Sequence, residues 1–428
     1  MSLQSIAKNA VRRVWQSRAY SFVLNTGDIV VGRLARRRAS AAPFAKYTLL
    51  VPPQTSANIG DVAMFHSVLR NTPGNIVVTA RTSSILTVPE DVTSRVRIVP
   101  MPRIIHGYPG LRIRDVARFA RLAAGADELL VPGADTIDGG HLHNSLARLN
   151  TVRLAADAGV PVRVMGFSWS DHAPAAAVRA LRQLGAMPGV QLFPRDPVSH
   201  ERLERAEVPG LVRASDIVFS LPQPGPVPLY PELDEFLRAT ESAGDRYVVL
   251  NLSGLIANRA DLGDDYRQLI ELLHSRGLRI VFLPHVHRAT DDDVATTRRY
   301  YEAYGAETDF FVDRLLDPSE IMTLTGGGLF SATGRMHCAI LTLTTGRPCM
   351  TLATAGKVEG LYQFFDLDDM VIQPKSGCGA ELVRIASRLI DENEELAERV
   401  LAALPKVRIL SRANFDAGRH PVSTPIAR

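Results

Sequence analysis

Beyond Tyr47 the chain alternates between short continuous apolar runs and longer stretches in which apolar residues recur every three or four positions. The runs at 47–51, 75–80, 97–101, 128–131, 160–166 and 190–193 predict strands, and the periodic stretches at 62–70, 114–124, 146–158 and 173–184 predict helices. Residues 221–231 read LPQPGPVPLYP, and five prolines in eleven residues neither continue a helix nor pair inside a sheet. A second alternating unit follows, with strands expected at 247–253, 278–284, 310–313, 328–331, 348–352 and 370–372. Its helices are expected at 264–275, 291–304, 318–324, 335–343 and 379–404, the last stopped by Pro405. Apolar strands separated by helices imply parallel sheets covered on both faces. The pattern therefore predicts an α/β protein of two Rossmann-like, doubly wound domains with an interdomain cleft, where ligands bind beyond the carboxyl ends of strands. The expected divisions are a basic arm (1–46), a first domain (47–222), a linker (223–231), a second domain (232–405) and a tail (406–428).

The first 46 residues differ from the rest. They hold nine basic side chains (Lys8, Arg12, Arg13, Arg18, Arg33, Arg36, Arg37, Arg38, Lys46) and one acid, Asp28, for a net +8. The whole chain is +4, so the remainder is −4. Leu3, Ile6, Ala7, Ala10, Val11, Val14 and Trp15 follow helical spacing, with the basic residues mostly off that stripe. Such a helix either packs on its own domain with its arginines solvated or lies on an anionic membrane. No recognition motif accompanies the charge, so a nucleic-acid partner is not expected. The arm lacks the apolar core of a secretory signal, and no run of about 18 apolar residues predicts a membrane-crossing helix. Three cysteines, Cys338, Cys349 and Cys378, supply neither a disulfide framework nor a four-cysteine zinc site, which fits a reducing cytosol.

Three constellations can carry chemistry. Asn58-Ile59-Gly60-Asp61 lies between the first strand and its helix, where glycine permits a tight turn and helix amides face an anion. It is neither a dinucleotide fingerprint nor a P-loop, and Asp61 also reads as a helix cap. Arg195-Asp196-Pro197-Val198-Ser199 leaves a strand, and the planar fork of Arg195 suits a carboxylate or phosphate. The plainer alternative is an Arg195–Asp196 surface pair with Asp196 capping a helix. The third joins Arg335, His337 and Lys357. His337 is expected in the first turn of a helix, after a glycine-rich strand end (Gly326, Gly327, Gly328), and Lys357 opens the next helix. Two further clusters, His285 and His287 with Asp291–Asp293, and His141 and His143 with Asp138, have loop spacings too common to predict a metal site.

These three segments, in this order, resemble the polysaccharide pyruvyltransferase family. The likeness starts at Asn58-Ile-Gly-Asp61, includes Arg195-Asp196-Pro-Val-Ser199, and peaks from Arg335-Met-His337 through Gly346-Arg-Pro348 to Lys357-x-x-Gly360. One departure is Val131-Pro-Gly-Ala-Asp135, where members usually carry a Gly-Gly-Gly-Asp-like loop. The resemblance implies two Rossmann-like domains in the glycosyltransferase B arrangement. It also implies transfer of a pyruvyl group from phosphoenolpyruvate to sugar hydroxyls of a cell-surface glycan or its lipid-linked precursor, giving a ketal and phosphate.

On that reading Arg195, Arg335 and Lys357 clamp the donor with Asn58 and Gly60, and His337 binds phosphate and shuttles protons. Asp61 or Asp135 serves as base on the acceptor side. No metal or organic cofactor is expected, because the donor is already activated. The expected location is the cytoplasm, peripheral to the inner face of the membrane through residues 1–46. A nucleotide-sugar-dependent glycosyltransferase of the same fold and a non-catalytic glycan-binding protein are the rival readings. The donor assignment has a structural condition: the cationic tips of both domains must gather at the mouth between them, neither far apart nor buried in pairs with acids.

Overall fold

The computed structural model describes residues 18–37, 42–53, 55–222, 225, 227–353 and 357–416. The stripe expected over residues 3–15 lies outside them. The chain divides into two compact units. The first comprises Met1–Gln54, Val68–Ile217 and Leu410–Arg428, and the second Thr55–Ser67 and Val218–Ile409. This corrects the expected contiguous domains in two places. Residues 55–67, which carry the Asn58–Asp61 motif, belong to the second unit, and residues 410–416 return to the first.

The first unit opens with α1 (Arg18–Ala35), then β1 (Thr48–Leu50) and α2 (Ile59–Asn71), whose first residues count with the second unit. There follow β2 (Ile76–Ala80), β3 (Val96–Pro100), α3 (Ile113–Ala124), β4 (Glu128–Ala134), α4 (Leu142–Ala156), β5 (Val162–Phe167), α5 (Ala175–Gly185), β6 (Val190–Pro194) and α6 (Pro197–Arg205). The six strands form one parallel sheet in the order β3-β2-β1-β4-β5-β6. Leu49, Val77, Leu129, Val131, Val162 and Val164 are fully buried, as continuous apolar strands between two helix layers must be. Successive strands are added leftward from β1 to β3 and rightward from β4 to β6, so the carboxyl ends of β1 and β4 flank a topological switch point.

The second unit contains α7 (Pro231–Ser242), β7 (Arg246–Asn251), α8 (Gly254–Ala257), α9 (Gly263–Ser275), β8 (Leu278–Phe282), α10 (Asp293–Tyr304), β9 (Phe310–Phe311), α11 (Pro318–Gly327), β10 (Ser331–Thr333), α12 (Met336–Thr344), β11 (Cys349–Leu352), α13 (Lys357–Tyr362), β12 (Val371–Ile372), α14 (Gly379–Asp391) and α15 (Asn393–Arg412). Its parallel sheet runs β12-β11-β10-β7-β8-β9, with a switch point at β7/β10. Among the described residues no helix is long and apolar enough to cross a membrane.

Two local expectations fail for identifiable reasons. The glycine run ends helix α11 rather than a strand, and β10 starts three residues after Gly328. A Cβ on Gly327 would sit 2.6 Å from the Tyr247 hydroxyl, so glycine there is a packing requirement. The helix expected over 379–404 breaks earlier, after Asp391, and α15 runs through Pro405 to Arg412, so the expected tail begins as helix. Leu396, Val400, Leu404 and Val407 form a buried stripe that continues past the proline. The proline forfeits its bond to the carbonyl of Leu401, and the burial of that stripe on both sides of it offsets the loss.

Candidate functional site

The most developed polar cluster lies at the carboxyl ends of β7, β8 and β10. Asp293, fully buried at the first position of α10, organises it. Its carboxylate accepts from Gly254 N at 2.8 Å, His285 N at 3.3 Å and Asn251 Nδ2 at 3.4 Å. It also takes a two-pronged contact from Arg335, with Nε at 3.0 Å and a terminal nitrogen at 2.6 Å. Asn251 Oδ1 accepts from the Thr333 hydroxyl at 2.8 Å, which ties the ends of β7 and β10 together across the switch point. Thr333 Oγ1 in turn accepts from Arg335 N at 2.9 Å and shapes the turn into α12.

Arg335 also reaches Asp291 Oδ2 at 3.3 Å, and Arg288 contacts the same oxygen at 3.0 Å. Two guanidinium groups face two carboxylates, so the cluster is neutral, and the Arg335 side chain is only 11% exposed. The expectation that Arg335 clamps a substrate anion is therefore corrected. Its charge is spent on anchoring the start of α10 and the β10–α12 turn. Arg195, in the first unit, meets the same fate. Its side chain is 3% exposed and its NH1 lies 3.0 Å from Asp216 Oδ2, with Nε donating to Ser168 Oγ at 2.7 Å. Neither Arg195 nor Asp196 forms the surface pair considered above. Asp196 caps α6, accepting from Ser199 N and Ser199 Oγ at 2.7 Å each.

His337 falls in the first turn of α12, as expected, and is half-buried. Its ring packs on Gly60. A Cβ built on Gly60 would lie 2.2 Å from His337 Nδ1, 2.7 Å from Cγ and 3.0 Å from Cβ. The Asn58–Asp61 motif and His337 thus meet within one unit, although 277 positions separate Gly60 and His337 (337 − 60). The glycine is needed for this approach and not for a turn, since Gly60 is the second residue of α2 with ordinary helical backbone. Asn58 caps α2, its Oδ1 accepting from Gly60 N at 3.1 Å. Asp61 is 9% exposed and accepts from Thr55 N at 3.2 Å and Asn58 Nδ2 at 3.3 Å. Asn58 pairs with Val286 in an isolated antiparallel bridge, and Ile59 N donates to His285 O at 3.1 Å, pinning the motif beside the β8 end.

His285 was legible only as half of a weak metal-binding pattern. It is 1% exposed, and neither ring nitrogen has a hydrogen-bond partner among the described residues. Burial, reinforced by the neighbouring His337 and Arg335, pushes its pKa well below the ordinary histidine range, so it is neutral. Ser253 Oγ, buried after β7, likewise has no partner. His287 instead contacts Asp292 at 3.2 Å. Among the described residues no group of three or more His, Cys, Asp or Glu side chains is arranged to hold a metal ion.

Lys357 opens α13 as expected, but its side chain lies outside the described residues. Asp135 is exposed in the turn after β4, in the first unit. The preceding Ala134 has φ of 47°, a backbone that glycine adopts without strain. That is the segment in which the resembled family carries its glycines.

The comparisons agree with this architecture. Solved structures that share the fold include the Staphylococcus aureus MnaA–UDP co-structure, 11% identical with a TM-score of 0.55, covering 84% of this chain and 91% of that one. The UDP-GlcNAc 2-epimerase of Neisseria meningitidis bound to UDP-GlcNAc is 10% identical with a TM-score of 0.54, covering 86% and 97%. Likeness at this level establishes the glycosyltransferase B fold class and nothing about substrate. A search of curated proteins finds no match. The profile described as Polysaccharide pyruvyl transferase matches residues 58–356, well over half of the sequence, from the Asn58 cap to the start of α13. The chain belongs to the polysaccharide pyruvyl transferase family.

Proposed function

We propose that the protein transfers a pyruvyl group from phosphoenolpyruvate to two hydroxyls of a glycan or its lipid-linked precursor, forming a cyclic ketal and releasing phosphate. The observation that carries this reading is the family match across residues 58–356, within which Gly60 is fitted against His337 at the start of α12.

The chemistry balances without a redox partner. Protonation of donor C3 makes it a methyl group and leaves C2 electrophilic. Two sugar oxygens bond to C2 and the C2–O bond to phosphate breaks. Of the two hydroxyl protons released, one equals the proton now on C3 and the other leaves as hydrogen phosphate. The half-buried His337 imidazole is the group we assign to moving these protons, at a helix start whose dipole favours the leaving phosphate. Lys357, at the start of the following helix, is the remaining candidate for direct charge on the donor. Arg335 acts through Asp293 as a positioning residue that sets the approach to His337. Asp61 and Asp135 are candidate bases for the acceptor hydroxyl, and Asp61 shares with Gly60 the helix turn against His337.

The test is phosphate release from phosphoenolpyruvate with a panel of lipid-linked and nucleotide-linked sugars. Wild type is expected to release phosphate with at least one acceptor, and His337→Ala to lose about 10²–10⁴-fold. No release with any acceptor, or full release by His337→Ala, contradicts the proposal.

A further inference from the structure

Helix α1 has two faces of different destiny. Leu24, Asp28, Gly32 and Ala35, spaced along one side, are buried against the first unit. At Gly32 a Cβ would meet Leu154 Cδ2 at 2.2 Å and Ala120 Cβ at 3.5 Å, so the helix sits deep between α3 and α4. Asp28 accepts from Asn150 Nδ2 at 2.7 Å and lies 3.3 Å from the buried Arg112 guanidinium. These contacts fix the helix rotation. The opposite side then presents Phe22 (69% exposed), Val23, Val30 and Leu34 (62%) to solvent. Leu111 and Ile113, beside Arg112, are exposed as well. Scattered apolar exposure is ordinary, but large apolar side chains on one fixed helix face are not.

We infer that this face of α1, with Leu111 and Ile113, docks onto an anionic lipid bilayer. Charge chooses the occupant. In the sequence Lys8, Arg12, Arg13 and Arg18 precede these apolar positions and Arg33, Arg36, Arg37 and Arg38 follow them; among the described residues Arg33, Arg37 and Arg114 are exposed. The only acid in the first 46 residues, Asp28, is buried and paired inward. A second copy of the same face would set arginines against arginines, and the nearby Asp157, 3.8 Å from Arg33, is already engaged within its own copy. An anionic headgroup layer answers them all, while the acyl boundary takes up Phe22, Val30 and Leu34. The sequence expectation gave membrane contact to the basic arm 1–46 on the strength of its stripe at 3–15; the surface inferred here is a different set of residues within that arm, Phe22, Val23, Val30 and Leu34. The inference does not rest on the donor assignment.

The experiment is flotation of the full chain with vesicles of phosphatidylcholine alone or with added phosphatidylglycerol. Wild type is compared with a Phe22→Ser/Val30→Ser/Leu34→Ser variant and with Arg33→Gln/Arg37→Gln. Wild type is expected to bind the anionic vesicles at least about 10-fold better than neutral ones, less so as salt rises. The serine variant should lose at least about 10-fold in partitioning with an unchanged melting temperature, since its three sites are exposed. Arg33→Gln/Arg37→Gln should weaken binding to anionic vesicles only. Undiminished binding by the serine variant overturns the inference and leaves residues 1–17 as the anchor. Absence of binding overturns it too, as does sedimentation as a dimer that the serine substitutions dissociate, which assigns the face to a second copy.

Discussion

Gly60→Ala is the sharpest test of the contact at the heart of the second unit. The new Cβ would stand 2.2 Å from His337 Nδ1. Nonbonded heavy atoms settle at about 3.5 Å, so the ring must retreat by about 1 Å. Rotation about the Cα–Cβ bond cannot do it all, because His337 Cβ itself would be at 3.0 Å, and the start of α12 must move too. Overpacking of this kind costs about 1–3 kcal/mol, while alanine at a helix position returns up to about 1 kcal/mol. Stability should therefore fall by roughly 0–3 kcal/mol. Turnover should fall far more, since a 1 Å misplacement of a reacting group can cost about 10²-fold. Thermal melting and phosphate release from phosphoenolpyruvate measure the two separately. Gly27→Ala, on α1 with nothing within 4 Å of the added carbon, is the control, and it should melt slightly higher than wild type. If Gly60→Ala keeps wild-type turnover, the approach of the motif to His337 is not part of the chemistry.

Three further outcomes follow from the ion pairs and buried histidines. Arg195→Ala removes the buried guanidinium 3.0 Å from Asp216 and should cost about 3–5 kcal/mol in urea denaturation; unchanged stability with lost donor binding would restore the clamp reading. Asp293→Asn should destabilise by about 3 kcal/mol and more than Asp291→Asn, because Asp293 carries the two-pronged contact and is fully buried, whereas equal effects refute its organising role. His143, buried against the Tyr20 hydroxyl at 2.6 Å, has its pKa pushed down from 6.5 to about 4 by burial, then by Arg112 and His106. A histidine held neutral in the fold favours unfolding when protonated, so its contribution is intact above pH 6.5 and is lost as pH falls from there towards about 4. The loss is about 1–2 kcal/mol after allowing for solvent screening, and His285 acts in the same direction. Melting between pH 7.5 and 4.5 should show it, reduced in His143→Gln; a flat profile refutes it.

Much of the architecture was readable because parallel strands buried on both faces leave unbroken apolar runs. Leu129–Val131 and Ile280–Leu283 stand out on that ground alone. Helix α15 was not, because Pro405 reads as a helix stop locally while the buried stripe Leu396, Val400, Leu404 and Val407 that carries the helix past it is settled by packing. The site residues show the same limit. Arg195 and Arg335 were identifiable as guanidinium groups at strand ends. Their partners were not, since Asp216 lies 21 positions from Arg195, and Asp293 and Asp291 lie 42 and 44 from Arg335. Local sequence reports a cation and not the acid that neutralises it. Gly60 was singled out for backbone freedom it does not use, because its true neighbour, His337, is brought there only by the fold. His285 carried one available signal, its place immediately after the apolar run of β8.

The donor assignment is tested most directly by thermal protection. Phosphoenolpyruvate at about 100 times its dissociation constant should stabilise the protein by about 2.7 kcal/mol, and a uridine diphosphate nucleotide should leave the melting temperature unchanged. Protection by the nucleotide with none from phosphoenolpyruvate contradicts the account.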